Sequence, residues 1–213
     1  MVLARFRAFI PWKLFGRKRL VFLTVLITFT IQSGSAQNWD VDILKAINPM
    51  YPTSPYWVQT SASAYWIPAA AIIGSLGYGF IENDKQIQHN AYELVINLAI
   101  SSAVTEIFKV TINRERPADK YPTEIFVNGA VHGQSFPSGH TSLAFATATT
   151  LALDYKKWYI VVPAYLWAGS VAYSRMYLGK HYTSDVTGGM IIGIGSGYLS
   201  HWLTKKLFGK KHQ

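Results

Sequence analysis

The segment Ser174-Arg175-Met176-Tyr177-Leu178-Gly179-Lys180-His181-Tyr182-Thr183-Ser184-Asp185 sets polar chemistry between two apolar runs, Trp158–Tyr173 and Val186–Leu203. His181 and Asp185 are four residues apart, so at the start of a helix they share a face. A carboxylate that accepts from one imidazole nitrogen fixes the tautomer and frees the other nitrogen for attack. Arg175 adds a planar fork of donors that suits phosphate oxygens. Together these residues ask for a phosphate. Taken singly, Arg175 and Asp185 would serve equally as a buried ion pair, and His181 as a satisfied core histidine.

Two further stretches extend the same chemistry. Lys109 and Arg116, in Lys109-Val110-Thr111-Ile112-Asn113-Arg114-Glu115-Arg116-Pro117, supply positive charge for a group whose equatorial oxygens gain charge during transfer. In Pro137-Ser138-Gly139-His140, Ser138 offers a hydroxyl and Gly139 a backbone amide, with glycine permitting close approach. A helix starting near His140 aims its N-terminal dipole at the same anion. His140 is placed to protonate a leaving oxygen, and His181 to attack phosphorus and form a phosphohistidine that water hydrolyses. Asp185 orients His181 and stabilises its charged form. A metal held by His140, His181 and Asp185 would suit those residue types, but Lys109, Arg116 and Arg175 would repel it. No metal or other cofactor is expected. Glu106, one turn before Lys109, reads as a partner for that lysine or for a neighbouring helix. His132 reads as a solvated loop residue.

The three motifs are Lys, six residues, Arg-Pro; then Pro-Ser-Gly-His; then Ser-Arg, five residues, His, three residues, Asp. In that order and spacing, over about residues 105–190, the chain resembles the type 2 phosphatidic acid phosphatase superfamily, which also holds bacterial class A acid phosphatases and vanadium haloperoxidases. The resemblance implies the same allocation of roles to Lys109, Arg116, Ser138, Gly139, His140, Arg175, His181 and Asp185. It implies a phosphatase, and the superfamily offers phosphatidic acid, phosphatidylglycerophosphate, undecaprenyl diphosphate and lipid A phosphates as candidate substrates.

The elements that must position these residues are apolar. Half of the 213 residues are hydrophobic and 15% are charged, against roughly 25% charged in soluble domains. The absence of cysteine excludes disulfides, thiolate metal sites and a cysteine nucleophile. The formal charge of +9 is terminal: Arg5, Arg7, Lys13, Arg17, Lys18 and Arg19 precede any acid, and Lys205, Lys206, Lys210 and Lys211 close the chain. With no basic stripe interleaved with aromatics, nucleic acid is not an expected partner. The basic start, the apolar run Leu20–Ile31 and Gly34-Ser35-Ala36 have the layout of a signal peptide over residues 1–36, either cleaved or kept as an anchor. Either way, residues 37–213 form the catalytic domain and leave the cytoplasm.

Apolar runs follow at Tyr65–Ile81, Tyr92–Ile112, Leu143–Leu153, Trp158–Tyr173 and Val186–Leu203, after an amphipathic stretch from Asn38 to about Tyr56. That stretch suits a short helix at the membrane surface or a packed cap. Most runs are at or under the roughly 20 residues that span a bilayer, so length alone is ambiguous. Charge placement decides: crossing at each run puts Lys156-Lys157, Lys205-Lys206 and Lys210-Lys211 inside and the segments 113–137 and 174–184 outside. The expected fold is all-α, a polytopic membrane bundle of five or six helices with its active site at the outer membrane–water interface. The expected location is the bacterial inner membrane, site facing the periplasm, with the bilayer and a phosphorylated lipid as partners. The alternatives are a soluble periplasmic acid phosphatase acting on small phosphomonoesters and a lipid phosphotransferase.

Overall fold

A computed structural model describes residues 36–208. The chain separates into a unit up to Trp39 and a compact unit from Asp40 onward, the second of which holds the helical bundle. The expected signal segment and Lys210-Lys211 lie outside the described residues, apart from Ala36. The helices are α1 (Ala36–Ile47), α2 (Pro55–Ile81), α3 (Lys85–Ile112), α4 (Pro117–Lys120), α5 (Gly139–Tyr155), α6 (Trp158–Tyr177) and α7 (Thr183–Phe208). No strand occurs among the described residues. The five long helices hold 27, 28, 17, 20 and 26 residues, so they outrun the apolar runs in sequence by one or more turns.

Local signals explain these extensions. Asp84 caps α3, its carboxylate accepting from the amides of Gln86 (2.9 Å) and Ile87 (3.1 Å), which starts the helix before its first apolar residues. Asn113 closes it in the left-handed conformation. Pro55 begins α2 at the position where proline costs nothing. Pro68 and Pro163 lie inside α2 and α6.

The packing is inverted relative to a soluble bundle. α5 is central, packed on α2, α3, α6 and α7, and its buried face is alanine, serine and threonine around Phe145. A polar ladder joins α3 to α5: Asn97 donates to the Ala146 carbonyl (2.8 Å) and to Thr150 Oγ1 (2.7 Å), and Ser101 meets Ser142 at 2.5 Å. On α7, a methyl at Gly193 would sit 2.4 Å from the Ser142 carbonyl oxygen, so the two backbones touch only because glycine is there. Ile73, Ile81, Val110, Leu166 and Leu207 point outward. α2 is long and apolar enough to cross a membrane, and so is a stretch within Lys85–Lys120; each window is only 17% buried. Small and polar side chains inside with large apolar ones outside is the arrangement a lipid solvent selects.

The amphipathic stretch forms a packed cap. Val41 and Leu44 of α1 are buried against Ile125 and Tyr182, and Lys45 pairs with Glu124. Asn48 donates to the carbonyls of Phe126 and Tyr177, both at 2.8 Å, and accepts from the Phe126 amide. Gly179 has φ +67°, and a methyl there would lie 2.2 Å from the Phe126 carbonyl oxygen. The turn between Arg175 and His181 is therefore possible only with glycine. Gly179→Ala is expected to lower the thermal unfolding midpoint of the detergent-solubilised protein, the backbone alone costing about 1–3 kcal/mol.

Candidate active site

One end of the bundle gathers the C-terminal end of α3, the N-terminal ends of α5 and α7, and the C-terminal end of α6. Lys109, His140, Asp185 and Arg175 sit on those ends, with Arg116 and His181 in the adjoining loops. This juxtaposes the segments 113–137 and 174–184, as the charge pattern in sequence required. The Asn128 amide donates to the Leu178 carbonyl (3.2 Å) across them.

Asp185 is fully buried and saturated. Its Oδ1 accepts from Arg114 Nη1 (2.6 Å), and its Oδ2 from Ser135 Oγ (2.5 Å) and the Tyr182 amide (2.9 Å). His181 Nδ1 lies 3.5 Å from the same Oδ2 and has no closer partner. The histidine thus faces the carboxylate across a long contact rather than a full hydrogen bond. Burial holds the His181 pKa down at about 4; Asp185 opposes that, while the charges of Arg175 and Arg116 add to it. The imidazole is therefore neutral at pH 7, with Nε2 not engaged by Asp185.

The cations differ in how many donors they have left. Arg116 spends three of its five N–H groups on the carbonyls of Gly133 (2.9 Å), Lys180 (2.8 Å) and His132 (3.0 Å), folding the 132–134 loop onto the His181 segment. Lys109 Nζ donates to the Gln134 carbonyl at 2.8 Å. Arg175 donates once, to Ser61 Oγ (2.7 Å); its Nε is buried with no partner. Among the described residues, none of the three is in ion-pair contact with a carboxylate. Their charges nevertheless act on one another, and those of Arg175 and Arg116 act on His181 and His140, as does that of Lys180 on His140. Burial and its basic neighbours lower the pKa of Lys180.

At the start of α5, no side chain caps the helix, so its first amides remain available to an anion. The Ser138 amide is occupied by the Asp185 carbonyl (2.9 Å), while Ser138 Oγ accepts from Thr141 Oγ1 (3.0 Å) and keeps its own proton. His140 Nδ1 is 3.4 Å from the Tyr65 hydroxyl, and the two rings meet edge to face at 4.6 Å.

All eight residues expected from the sequence are thus assembled at this end. The alternative of an Arg175–Asp185 ion pair is not formed: Asp185 is held by Arg114. Lys109 reaches a carbonyl rather than pairing with exposed Glu106. His132 is exposed and contributes only its carbonyl. Arg114, Asp40, Ser135, Ser184, Tyr65 and Lys180 were not evident from the sequence. Asp40 accepts from Arg114 Nη2 (2.7 Å) and the Ser184 amide (2.8 Å), and also takes the Ser184 hydroxyl proton. The arginine inside the first motif was the available signal: a further cation beside Asp185 needs a counter-charge, and Asp40, in the second turn of α1, supplies it.

A family model described as the PAP2 superfamily matches residues 90–208. The chain belongs to the PAP2 superfamily. It is 29% identical over 180 residues to a lipid A 4'-phosphatase of Bacteroides thetaiotaomicron, covering 79% of this chain and 78% of the relative. It is 26% identical over 188 residues to an undecaprenyl-diphosphatase of Sulfolobus acidocaldarius, covering 85% and 87%. The crystal structure of a transmembrane PAP2 type phosphatidylglycerolphosphate phosphatase from Bacillus subtilis superposes with a TM-score of 0.70 at 20% identity, over 92% of this chain and 98% of that one. That likeness carries the superfamily's helical fold, and with the outward apolar surface it makes the chain a membrane protein.

Two outcomes are expected from the buried pair. Arg114→Met strands the Asp185 charge and should lower stability by about 3–5 kcal/mol, read from denaturation in detergent. An unfolded histidine takes up its proton near pH 6.5, whereas folded His181 resists until about pH 4. The stability gained by keeping it neutral is whole above pH 6.5 and drains as pH falls toward 4. The unfolding midpoint of the wild type should fall more steeply through that window than that of His181→Asn.

Proposed function

We propose that the protein is a metal-independent lipid phosphatase whose site faces the periplasm from the bacterial inner membrane. The supporting observation is the set of three convergent cations, Lys109, Arg116 and Arg175, without a carboxylate partner among the described residues, around a neutral buried histidine. Such a charge excess needs an anion. A phosphoryl group brings three equatorial oxygens for it to hold. Arg175, with four donors unspent, is the principal anchor. A methyl placed on Gly139 would meet no protein atom closer than 3.8 Å; the space that glycine leaves lets an oxygen reach the helix amides.

Catalysis then proceeds in two displacements. Nε2 of His181 attacks phosphorus as the bond to the leaving oxygen breaks, and His140 gives that oxygen its proton. Asp185 stabilises the phosphohistidine's positive ring. Water next attacks the phosphorus, passing a proton to His140, and inorganic phosphate leaves with His181 restored. Tyr65 and Ser135 position His140 and Asp185.

The substrate is a lipid phosphate or diphosphate of the phosphatidic acid, phosphatidylglycerophosphate, undecaprenyl diphosphate or lipid A type. The names of the relatives and the apolar outer surface favour this over a soluble phosphomonoester. Residues 37–213 are the catalytic domain, delivered by a signal peptide or anchor over 1–36. Lys156, Lys157, Lys205 and Lys206, at the end away from His181, support the orientation.

Detergent-purified protein should release phosphate from members of this lipid panel in EDTA, and vanadate should suppress the release. His181→Ala should lose at least about 10³-fold in kcat, and His140→Ala about 10²–10⁴-fold. Release that requires a divalent metal, or that persists in His181→Ala, would sink the reading.

A further inference from the structure

At the end of the bundle opposite His181 lies a cavity of about 200 Å³, lined by Gln86, His89, Asn90, Glu93, Asp154, His201, Thr204 and Lys205. Glu93 comes from α3, Asp154 from the last turn of α5, and His201 from the last third of α7. The 14 positions of α5 between His140 and Asp154 set the two sites roughly 21 Å apart along the helix. Nothing in the hydrolytic mechanism uses this second cluster.

Its charge balance is the reverse of the first. The Asp154 side chain is 4% exposed and that of Glu93 8%. His201 Nδ1 lies 2.7 Å from Glu93 Oε1 but 4.0 Å from Asp154 Oδ1. Thr204 Oγ1 donates to Glu93 Oε2 at 2.6 Å. Among the described residues Asp154 accepts no hydrogen bond, although it is buried and faces the cavity, and no lysine or arginine is in ion-pair contact with either carboxylate. Lys156 and Lys205 act on Asp154 only from longer range. Two buried carboxylates with one imidazole between them lack a positive centre.

We infer that Glu93, Asp154 and His201 bind one first-row divalent cation, Zn²⁺ or Mn²⁺. One imidazole nitrogen with two carboxylate oxygens is a donor set for such ions rather than for Mg²⁺ or Ca²⁺, which favour all-oxygen shells. The three donor atoms already lie within 4.8 Å of one another. Tetrahedral ligation at about 2.1 Å places donors about 3.4 Å apart, so Asp154 moves in and Glu93 moves off His201 by small side-chain rotations. The cation takes the place of the direct contact between His201 Nδ1 and Glu93, and His201 binds it as a neutral imidazole. Thr204 orients Glu93 from behind, as supporting groups around metal ligands do. The bound ion pins α3, α5 and α7 together at the end remote from hydrolysis.

The test uses full-length, tag-free protein in detergent, stripped with EDTA and freed of it, then titrated separately with Zn²⁺ and Mn²⁺ by calorimetry and thermal melting. Saturable binding of one of these ions at one per chain is expected, with a raised unfolding midpoint. Asp154→Asn and His201→Gln should each weaken binding tenfold or more, while their phosphate release matches wild type. Thr204→Val keeps all three ligands and should weaken binding by about tenfold, which guards against a ligand variant that fails to fold. Absence of saturable binding by wild type, or equal affinity in all the variants, overturns the inference. So does a metal-free Asp154→Asn that melts higher than a wild type binding neither ion, since the cluster is then a proton-sharing network. Binding is read without substrate, so its failure is separable from failure of the phosphatase reading.

Discussion

Everything at the catalytic end depends on one buried negative charge. Asp185 has no exposure and is held by a guanidinium, a hydroxyl and an amide from three separate segments. A carboxylate taken out of water at this depth costs several kcal/mol unless all its lone pairs are met. The requirement therefore dictates where Arg114, Ser135 and Tyr182 must go. The backbone carbonyl of the same residue takes the Ser138 amide, which sets the start of α5 and with it His140. One side chain and its own peptide group thus fix the relative positions of both histidines. The long contact from His181 to Asp185 follows from the same saturation: the carboxylate oxygens are already engaged, so the imidazole is aligned without being strongly bound.

The bundle carries opposite electrostatic problems at its two ends. Among the described residues, the buried Arg175 Nε has no hydrogen-bond partner at one end; at the other, Glu93 and Asp154 make no ion pair with a lysine or arginine. Between them the interior is neutral, built from alanine, glycine, serine and threonine that let helices approach closely. Hydroxyls such as Thr149, which bonds the Phe145 carbonyl one turn back (2.7 Å), satisfy themselves locally and demand no charge. Charged groups are thereby confined to the two ends, near the water that ions exchange with, while between them the buried Asn97 Oδ1 has no partner among the described residues.

Much of this was legible from residue order. Lys109, Arg116, Ser138, Gly139, His140, Arg175, His181 and Asp185 announce themselves because phosphate chemistry restricts residue type and because the spacings repeat a superfamily's. The helices were legible as apolar runs, but not their lengths: polar first turns such as Lys85–Asn90 are set by the Asp84 cap, not by hydropathy. The supporting residues were illegible for a different reason. Asp40 and Arg114 are 74 positions apart and Tyr65 and His140 are 75 apart. Single-sequence periodicity carries no information about contacts at such range. Glu93, Asp154 and His201 also come from three different helices and meet only once α3, α5 and α7 are packed.

The link from Asp40 to Ser184 spans 144 positions, nearly the whole described chain, and bears on how the protein is made. A ribosome delivers Lys109, Arg114 and Arg116 well before Asp185, so these cations stand for 69 further residues of synthesis without that counter-charge. Closing so long a loop adds little free energy, since each doubling costs only about 0.6 kcal/mol, but it delays assembly. His181, the proposed nucleophile, arrives just ahead of the final helix. A chain interrupted at Tyr177, the end of α6, has the cations and His140, yet neither His181 nor Asp185, one of the two carboxylates that hold Arg114. The proposed catalytic set is therefore complete only once the start of α7 has been made.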